Sequence, residues 1–279
     1  MIRSIGARML LMPDKRQPEY YHEKFGFSHP SQIGLRYADQ TLLTSDGFKL
    51  SYWKVENPNC SRAEGAIIYL HGITDSKVSG LNYAKELSKF CMRVYLIDMR
   101  RHGDSEGRFC TYGYYEKHDV AKLIDVIKQE DPGITISLLG NSMGAAIAIQ
   151  TAAIDKRIGK VIAVAPFYDL FTIALDQQFR HLGIRNRTLL RLVLQKAERL
   201  ANFKASEVSP ARDMGSVEAP VLIVHGEDDR TIKKEYSQRL SGLNGRSRLL
   251  TIPNAGHKDV LERGGQEYVR DLIAFLKSP

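Results

Sequence analysis

Ile134-Thr135-Ile136-Ser137-Leu138-Leu139-Gly140-Asn141-Ser142-Met143-Gly144 is the stretch that decides the fold. Its first six residues form a β-favouring run without alternation of apolar and charged side chains, as suits a strand buried on both faces of a parallel sheet. The residues that follow, Met143 to Ala153, carry helical periodicity. Between the two lies a G-x-S-x-G pattern, Gly140 to Gly144, at a strand-to-helix turn. Such a turn strains the serine backbone, and the glycines two before and two after it remove side chains that would collide there. The helix opening at Met143 directs free N–H groups towards any anion formed at the serine. The five-residue pattern is common by chance. Its position after a strand and before a helix makes Ser142 a candidate nucleophile and not merely a helix cap.

Outward from this turn the same rhythm repeats. Continuous apolar runs recur at Ala66–Leu70, Val94–Ile97, Val161–Ala165 and Val221–Val224, and Leu249–Ile252 reads as a last strand. Helical periodicity occupies Ser79–Phe90, Tyr114–Gln129, Lys233–Leu243 and Asp259–Leu276. Upstream, Leu35–Thr44 and Phe48–Val55 flank Ser45-Asp46-Gly47, a hairpin signal, with Leu50, Tyr52 and Lys54 alternating against Lys49, Ser51 and Trp53. The expected class is α/β: a mostly parallel twisted sheet of about eight strands with an antiparallel start and helices on both faces.

One connection breaks the rhythm. From Pro166 to Ala219 no strand pattern occurs, and two helical segments, Tyr168–Leu182 and Asn186–Asn202, fill the gap. Leu189, Val193, Ala197 and Leu200 form an apolar stripe on the second, with Arg187, Arg191 and Gln195 along another face. The expectation is a helical lid insertion, residues 167–216, within a domain spanning 35–279. Arg180, Arg185, Arg187, Arg191, Lys196 and Arg199 face a single acidic residue there, Glu198. The plain reading of that cluster is a solvated helix face; the sharper one is that it steers an anionic substrate or membrane. Residues 1–34 are expected to form a helical or extended segment packed on the body. Ile2, Ile5, Met9 and Met12 share one helical face, which also allows weak contact with a membrane surface.

Composition narrows the class further. A chain of 279 residues with 43% hydrophobic and 26% charged residues is ordinary for a soluble globular protein. The net charge of +8 comes without any nucleic-acid fold signature, so no nucleic-acid partner is expected. No run reaches the roughly 18 apolar residues needed to cross a bilayer, and the start lacks the form of a signal peptide. Cys60, Cys91 and Cys110 show no CxxC spacing, and are expected to be free thiols in a reducing compartment, hence a cytoplasmic protein. No metal site or cofactor is expected, and the oligomeric state is left open.

These motifs together resemble the α/β-hydrolase superfamily from about Leu42 to the C-terminus. His71-Gly72 resembles its oxyanion-loop motif. Asp98-Met99-Arg100-Arg101-His102-Gly103-Asp104-Ser105 resembles its D-x-R-G-H-G-x-S segment, with Arg101 in place of the usual glycine. His225-Gly226-Glu227-Asp228-Asp229 resembles the segment bearing the acid, and Asn254-Ala255-Gly256-His257 the segment bearing the histidine. The resemblance implies Ser142 as nucleophile, Asp229 (with Asp228 as the adjacent rival) as acid and His257 as general base, in the family order. His102, also on a strand-end loop, is the main rival base. Met143 N–H and Ile73 N–H are the implied oxyanion donors. With one glycine before Ile73, the loop is not of the HGGG type, which by resemblance disfavours bulky tertiary-alcohol esters. Asp98 and Arg100 read as scaffold.

The expected activity is hydrolysis of carboxylic esters of small-to-medium acyl groups through an acyl-enzyme on Ser142, without cofactor. The substrate partner is a small-molecule ester or thioester. Acyl-protein or acyl-CoA thioesters and peptides remain alternatives, because the same residues serve all three. A non-catalytic ligand-binding protein on the same scaffold predicts damage to these residues, and none of them is missing.

Overall fold

The unbroken apolar runs become the inner strands of one sheet. The computed structural model describes residues 2–278; Met1 and Pro279, at the outer ends of the two expected segments, lie outside them. In chain order the elements are α1 (Ile2–Leu11), α2 (Pro18–Phe25), β1 (Arg36–Leu43), β2 (Lys49–Glu56), β3 (Gly65–Leu70), α3 (Leu81–Ser88), β4 (Met92–Ile97), α4 (Glu116–Glu130), β5 (Ile136–Asn141) and α5 (Met143–Ile154). They continue with β6 (Ile158–Val164), α6 (Leu170–Leu182), α7 (Arg187–Ala201), α8 (Pro210–Asp213), β7 (Val221–Gly226), α9 (Lys234–Ser241), β8 (Ser247–Ile252) and α10 (Val260–Lys277). The eight strands lie in the order β1-β2-β4-β3-β5-β6-β7-β8. β1 and β2 pair antiparallel, as do β2 and β4, and every other pair is parallel.

Strand pleating divides the core in two, since successive side chains point to opposite faces. Ile68, Leu70 and Leu138 pack with α4, α5 and α9 on one face. Ile67, Tyr69 and Leu139 pack with α3 and α10 on the other. Every residue of β3 and β7 is buried, which is why their sequences lack alternation. β2 departs from the alternation expected of it. It pairs on both sides, and Trp53 is buried, its Nε1–H donating to Asp39 Oδ1 at 2.8 Å, while Lys54 is half-buried.

Three further expectations need correction. Cys60 and Cys91 form a disulfide, with Cα atoms 5.6 Å apart, and only Cys110 is a free thiol. Cys60 lies just upstream of β3 and Cys91 immediately before β4. Those strands are parallel neighbours with Gly65 opposite Met92, and Glu64 N–H donates to Cys91 O at 2.9 Å. The sheet therefore brings together two cysteines that sequence spacing separates, and the argument for a reducing compartment loses its premise.

Second, α1 packs through Ala7 and Leu11, not through its apolar stripe. Ile2 and Met9 are 69% and 72% exposed, and Ile5 and Met12 are exposed with them. Third, the buried line of α7 is Leu190, Leu194, Ala197 and Ala201, a step around the helix from the expected stripe. α7 has two apolar faces because it is sandwiched. One faces the body, and the other carries Val193, which meets Gly6 of α1 so closely that a Cβ there would lie 3.0 Å from Val193 Cγ2. Among the described residues no helix is long and apolar enough to cross a membrane.

Candidate active site

Ser142 stands at the carboxyl end of β5 with φ 53° and ψ −112°, a backbone conformation that non-glycine residues avoid. Its N–H donates to Val164 O at 2.8 Å, and its carbonyl accepts from Ala146 N–H at 3.2 Å. The flanking glycines are required by contact. A Cβ on Gly140 would lie 2.2 Å from Gly144 O, and one on Gly144 would lie 2.0 Å from Leu70 O. Met143, buried, begins α5 with its N–H at the helix N-terminus.

The chain places the other expected residues on the carboxyl ends of neighbouring strands, where ligands of open α/β sheets bind. Asp229 follows β7 and His257 follows β8. His257 Nδ1–H donates to Asp229 Oδ2 at 2.7 Å. Asp229 Oδ1 accepts Thr231 N–H at 2.6 Å and Ile232 N–H at 2.9 Å, so both carboxylate oxygens are occupied. The Asp229 side chain is 1% exposed and that of His257 13%. Burial acts to raise the Asp229 carboxyl, but the His257 hydrogen bond and charge and the two backbone N–H groups hold it below the usual carboxylate range. Asp228 is exposed. His225 is spent on structure: its ring nitrogens meet Ser237 Oγ at 2.7 Å and Ile232 O at 3.1 Å. Asp229 and His257 are thus joined directly. Among the described residues no hydrogen bond links Ser142 Oγ to His257.

Gly72 lies against Ser142, and a Cβ there would be 3.5 Å from Ser142 Cβ. Ile73 is the next residue. His71 accepts Met99 N–H at Nε2 (3.0 Å), which leaves Nδ1–H to donate to Gly72 O at 2.8 Å. Burial lowers the His71 pKa, so the ring is a neutral brace for this loop.

His102, the rival base, is buried, with Nδ1–H on Arg100 O at 3.0 Å. Burial and the neighbouring His71 ring push its pKa down to about 3. Asp98 and Arg100 are scaffold. Asp98 accepts Lys77 N–H, Lys77 Nζ and Asp104 N–H at 2.7, 2.7 and 2.9 Å. Arg100 forks onto Asp119 with both bonds at 2.7 Å. Lys77 gave no sequence signal. It is buried among Asp98, Asp104 and Ser51 with Trp53 beneath it, and all of these partners are distant in the chain.

The basic cluster of the insertion lies on an exposed surface, and some of its members have partners there. Arg180 donates to the carbonyls of Arg230 and Thr231, beside Asp229. Asp176 of α6 pairs with Lys233 at 2.7 Å and accepts from Tyr236 OH. Arg187 and Arg191 lie over the Phe171 ring. The helical insertion is thereby tied to the loop that carries Asp229. Among the described residues no group of three or more His, Cys, Asp or Glu side chains is placed to hold a metal ion.

A sheet of this order, with a strained serine at a strand-to-helix turn, is that of an α/β hydrolase. The chain belongs to the hydrolase family described as serine aminopeptidase, S33, whose model matches residues 61–208. It is 30% identical over 223 residues to the protein YqkD of Bacillus subtilis, covering 75% of this chain and 70% of that one. A shorter stretch of 116 residues is 32% identical to human monoglyceride lipase, covering 40% of this chain and 37% of the lipase. The structure of the Pyrococcus furiosus esterase Pf2001 superposes with a TM-score of 0.75 at 23% identity, covering 96% of this chain and 97% of the esterase.

Proposed function

We propose that the protein is a serine hydrolase that cleaves carboxylic esters of small-to-medium acyl groups through an acyl-enzyme on Ser142, with Asp229 and His257 completing the triad. The observation that carries the reading is the 2.7 Å bond between His257 Nδ1 and Asp229 Oδ2. It fixes the imidazole tautomer and leaves Nε2 as a base. Ser142 Oγ attacks the carbonyl carbon while His257 Nε2 takes its proton. The oxyanion rests on the N–H groups of Met143 and Ile73. Collapse expels the alcohol, which leaves with the proton from His257. Water then attacks the acyl carbon, gives its proton to His257, and the carboxylic acid departs as Ser142 Oγ regains a proton. No step calls for a metal or organic cofactor.

Esters are favoured over amides by the similarity to an esterase and to a monoglyceride lipase, and the family's description keeps amides in the test. The experiment compares p-nitrophenyl acyl esters of rising chain length, the matching thioesters, and aminoacyl p-nitroanilides. Wild-type protein is expected to turn over esters of short and medium chains, and Ser142→Ala to lose about 10⁴-fold or more. Faster turnover of anilides than of esters would overturn the ester assignment. Hydrolysis no greater than that of Ser142→Ala, together with no labelling by a fluorophosphonate probe, would sink the catalytic reading.

The reading extends to weak contact with an anionic lipid surface. Its support is the exposed face of Ile2, Ile5, Met9 and Met12 beside Arg3 and Arg8. Co-sedimentation with phosphatidylglycerol vesicles, lost in Ile5→Glu/Met9→Glu, is the expected result, and equal sedimentation of both proteins would remove this part.

A further inference from the structure

The segment from Leu10 to Tyr21 is stitched to the body along a line that passes both expected oxyanion donors. Tyr112 OH donates to Leu10 O at 2.8 Å, and Cys110 N–H donates to Leu11 O at 2.8 Å. The Cys110 thiol in turn lies 3.5 Å from Met143 Sδ. Farther along, Lys15 Nζ donates to Gly103 O at 2.8 Å, next to the loop that carries His102. The segment then reaches the loop after β3. Arg16 N–H donates to Thr74 O at 3.3 Å, and Arg16 Nη1 pairs with Asp75 Oδ2 at 3.2 Å. Tyr21 OH, from α2, donates to Asp75 Oδ1 at 2.8 Å, and the same oxygen accepts Ser76 N–H at 3.0 Å.

The loop these groups hold is not one that would hold itself. Thr74 has φ 63°, a left-handed conformation in a β-branched residue, which costs on the order of 1–3 kcal/mol and persists only where surroundings impose it. Within the loop, Asp75 N–H closes a turn onto Gly72 O at 3.2 Å, and Gly72 O also accepts from His71 Nδ1. Arg16 and Tyr21 hold the strained residue from its carbonyl side: Arg16 N–H takes the Thr74 carbonyl, and both side chains take the Asp75 carboxylate. Tyr21 is itself fixed, 1% exposed and stacked on Phe25. Ile73 N–H lies between Gly72, which faces Ser142, and this clamped pair.

We propose that Arg16, Tyr21 and Asp75 are positioning residues of the active site, a clamp by which the N-terminal segment sets the loop that presents Ile73 N–H to the oxyanion. The proposal rests on the serine-hydrolase reading above. None of the three residues touches substrate; they act through Thr74 and Ile73. The segment is then a working part of the site and not merely a cover on the body.

The test uses Tyr21→Phe, which keeps the ring and loses one donor, and Asp75→Asn, which keeps an acceptor and loses the charge that pairs Arg16. Both are compared with wild type and with Glu23→Gln on the exposed side of α2. Active sites are titrated so that kcat is counted per competent serine. The expected result is a kcat lower by about tenfold to a hundredfold with KM within about twofold, since the donor matters most once the oxyanion forms. The inhibition constant of a trifluoromethyl ketone, whose hemiketal oxyanion uses the same donors, is expected to rise by the same factor. Amide hydrogen exchange of the peptide spanning residues 71–78 is expected to quicken in both variants, a readout that does not depend on which substrate is used. Arg16→Lys, which keeps the charge, is expected to lie between wild type and Asp75→Asn.

Unchanged exchange in both variants would overturn the clamp. Faster exchange with unaltered kcat and inhibition constant would also overturn it, leaving the contacts as packing alone. If wild-type protein hydrolyses nothing but exchange responds as expected, the failure belongs to the proposed activity and the clamp on the loop stands.

Discussion

His257 Nδ1 lies 2.7 Å from Asp229 Oδ2, and the second oxygen of Asp229 is already taken by the N–H groups of Thr231 and Ile232. The carboxylate cannot rotate away without breaking two backbone bonds, so the imidazole inherits its orientation from β7. Asp229→Asn keeps the volume but presents an amide where His257 needs an acceptor, turning the ring to the wrong tautomer. Under the proposed mechanism kcat falls by about 10³–10⁴-fold, whereas Asp228→Asn, on an exposed side chain, changes it by no more than about twofold. Steady-state kinetics on one ester decide this, and equal losses in the two variants would contradict the assignment.

Gly144 sits where α5 passes under β3. A Cβ there would be 2.0 Å from Leu70 O and 2.7 Å from His71 O, both backbone atoms with no side-chain slack. Alanine normally favours a helix by about 1 kcal/mol over glycine. Here the collision outweighs that gain, and Gly144→Ala is expected to cost about 3 kcal/mol or more and to displace the turn at Ser142. Thermal melting checks it, and a midpoint equal to wild type would show that the helix can shift freely.

The parts of the fold that were legible share one property: their environment is uniform along the element. β3, β5, β6 and β7 are covered on both faces, so each reads as a run of apolar residues, and the turn at Ser142 is set by glycines two residues away on either side. What was hidden depends on partners far off in the chain. Lys77 looks like a solvated lysine until Asp98 and Ser51 arrive from other strands. Asp75 gains its meaning from Tyr21, 54 residues earlier. The exposed stripe of α1 and the shifted buried face of α7 have a common cause. Each helix carries more apolar positions than one face can bury, and periodicity alone does not say which face meets the body.

The buried histidines tie stability to pH. His102 has its pKa pushed to about 3 by burial and by His71, and burial lowers His71 and His225 as well. Unfolding restores each ring to its ordinary value near 6.5. Between about pH 6.5 and 3 the unfolded chain therefore binds more protons at His102 than the folded one. Its contribution is fully present above about pH 6.5 and is lost as pH falls, by up to about 1.4 kcal/mol per pH unit. Denaturant melts at pH 7, 6 and 5 are expected to show falling stability. In His102→Asn, whose amide can replace the Nδ1–H bond to Arg100 O, the slope should be shallower. An identical slope in both proteins would remove His102 from the explanation.

Arg101 occupies a left-handed conformation, φ 71°, and its Nε is buried with no hydrogen-bond partner among the described residues. A non-glycine residue held there costs on the order of 1–3 kcal/mol, while glycine lowers stability through the unfolded chain by only about 0.5–1 kcal/mol. Arg101→Gly retains the backbone bond from residue 101 N–H to Glu106 O and is expected to stabilise by about 1 kcal/mol. A rise of a few degrees in Tm is the expected measurement, and a fall would mean that the Arg101 side chain contributes packing that outweighs its strain.

The Cys60–Cys91 bond lies at the amino ends of β3 and β4, whereas Ser142, Asp229 and His257 all follow the carboxyl ends of strands. Its effect should therefore fall on stability and not on turnover. Closing a loop with a sequence separation of 31 restricts the unfolded chain by about 3.7 kcal/mol. Cys60→Ser/Cys91→Ser is expected to lower Tm by roughly 5–10 °C with kcat at 25 °C within about twofold of wild type. A thiol titration of the denatured, unreduced protein supplies the direct check. One reactive thiol, that of Cys110, is expected, and three would show the pair to be reduced. A large loss of kcat in the double variant would mean that strain at the amino edge of the sheet reaches the turn at Ser142.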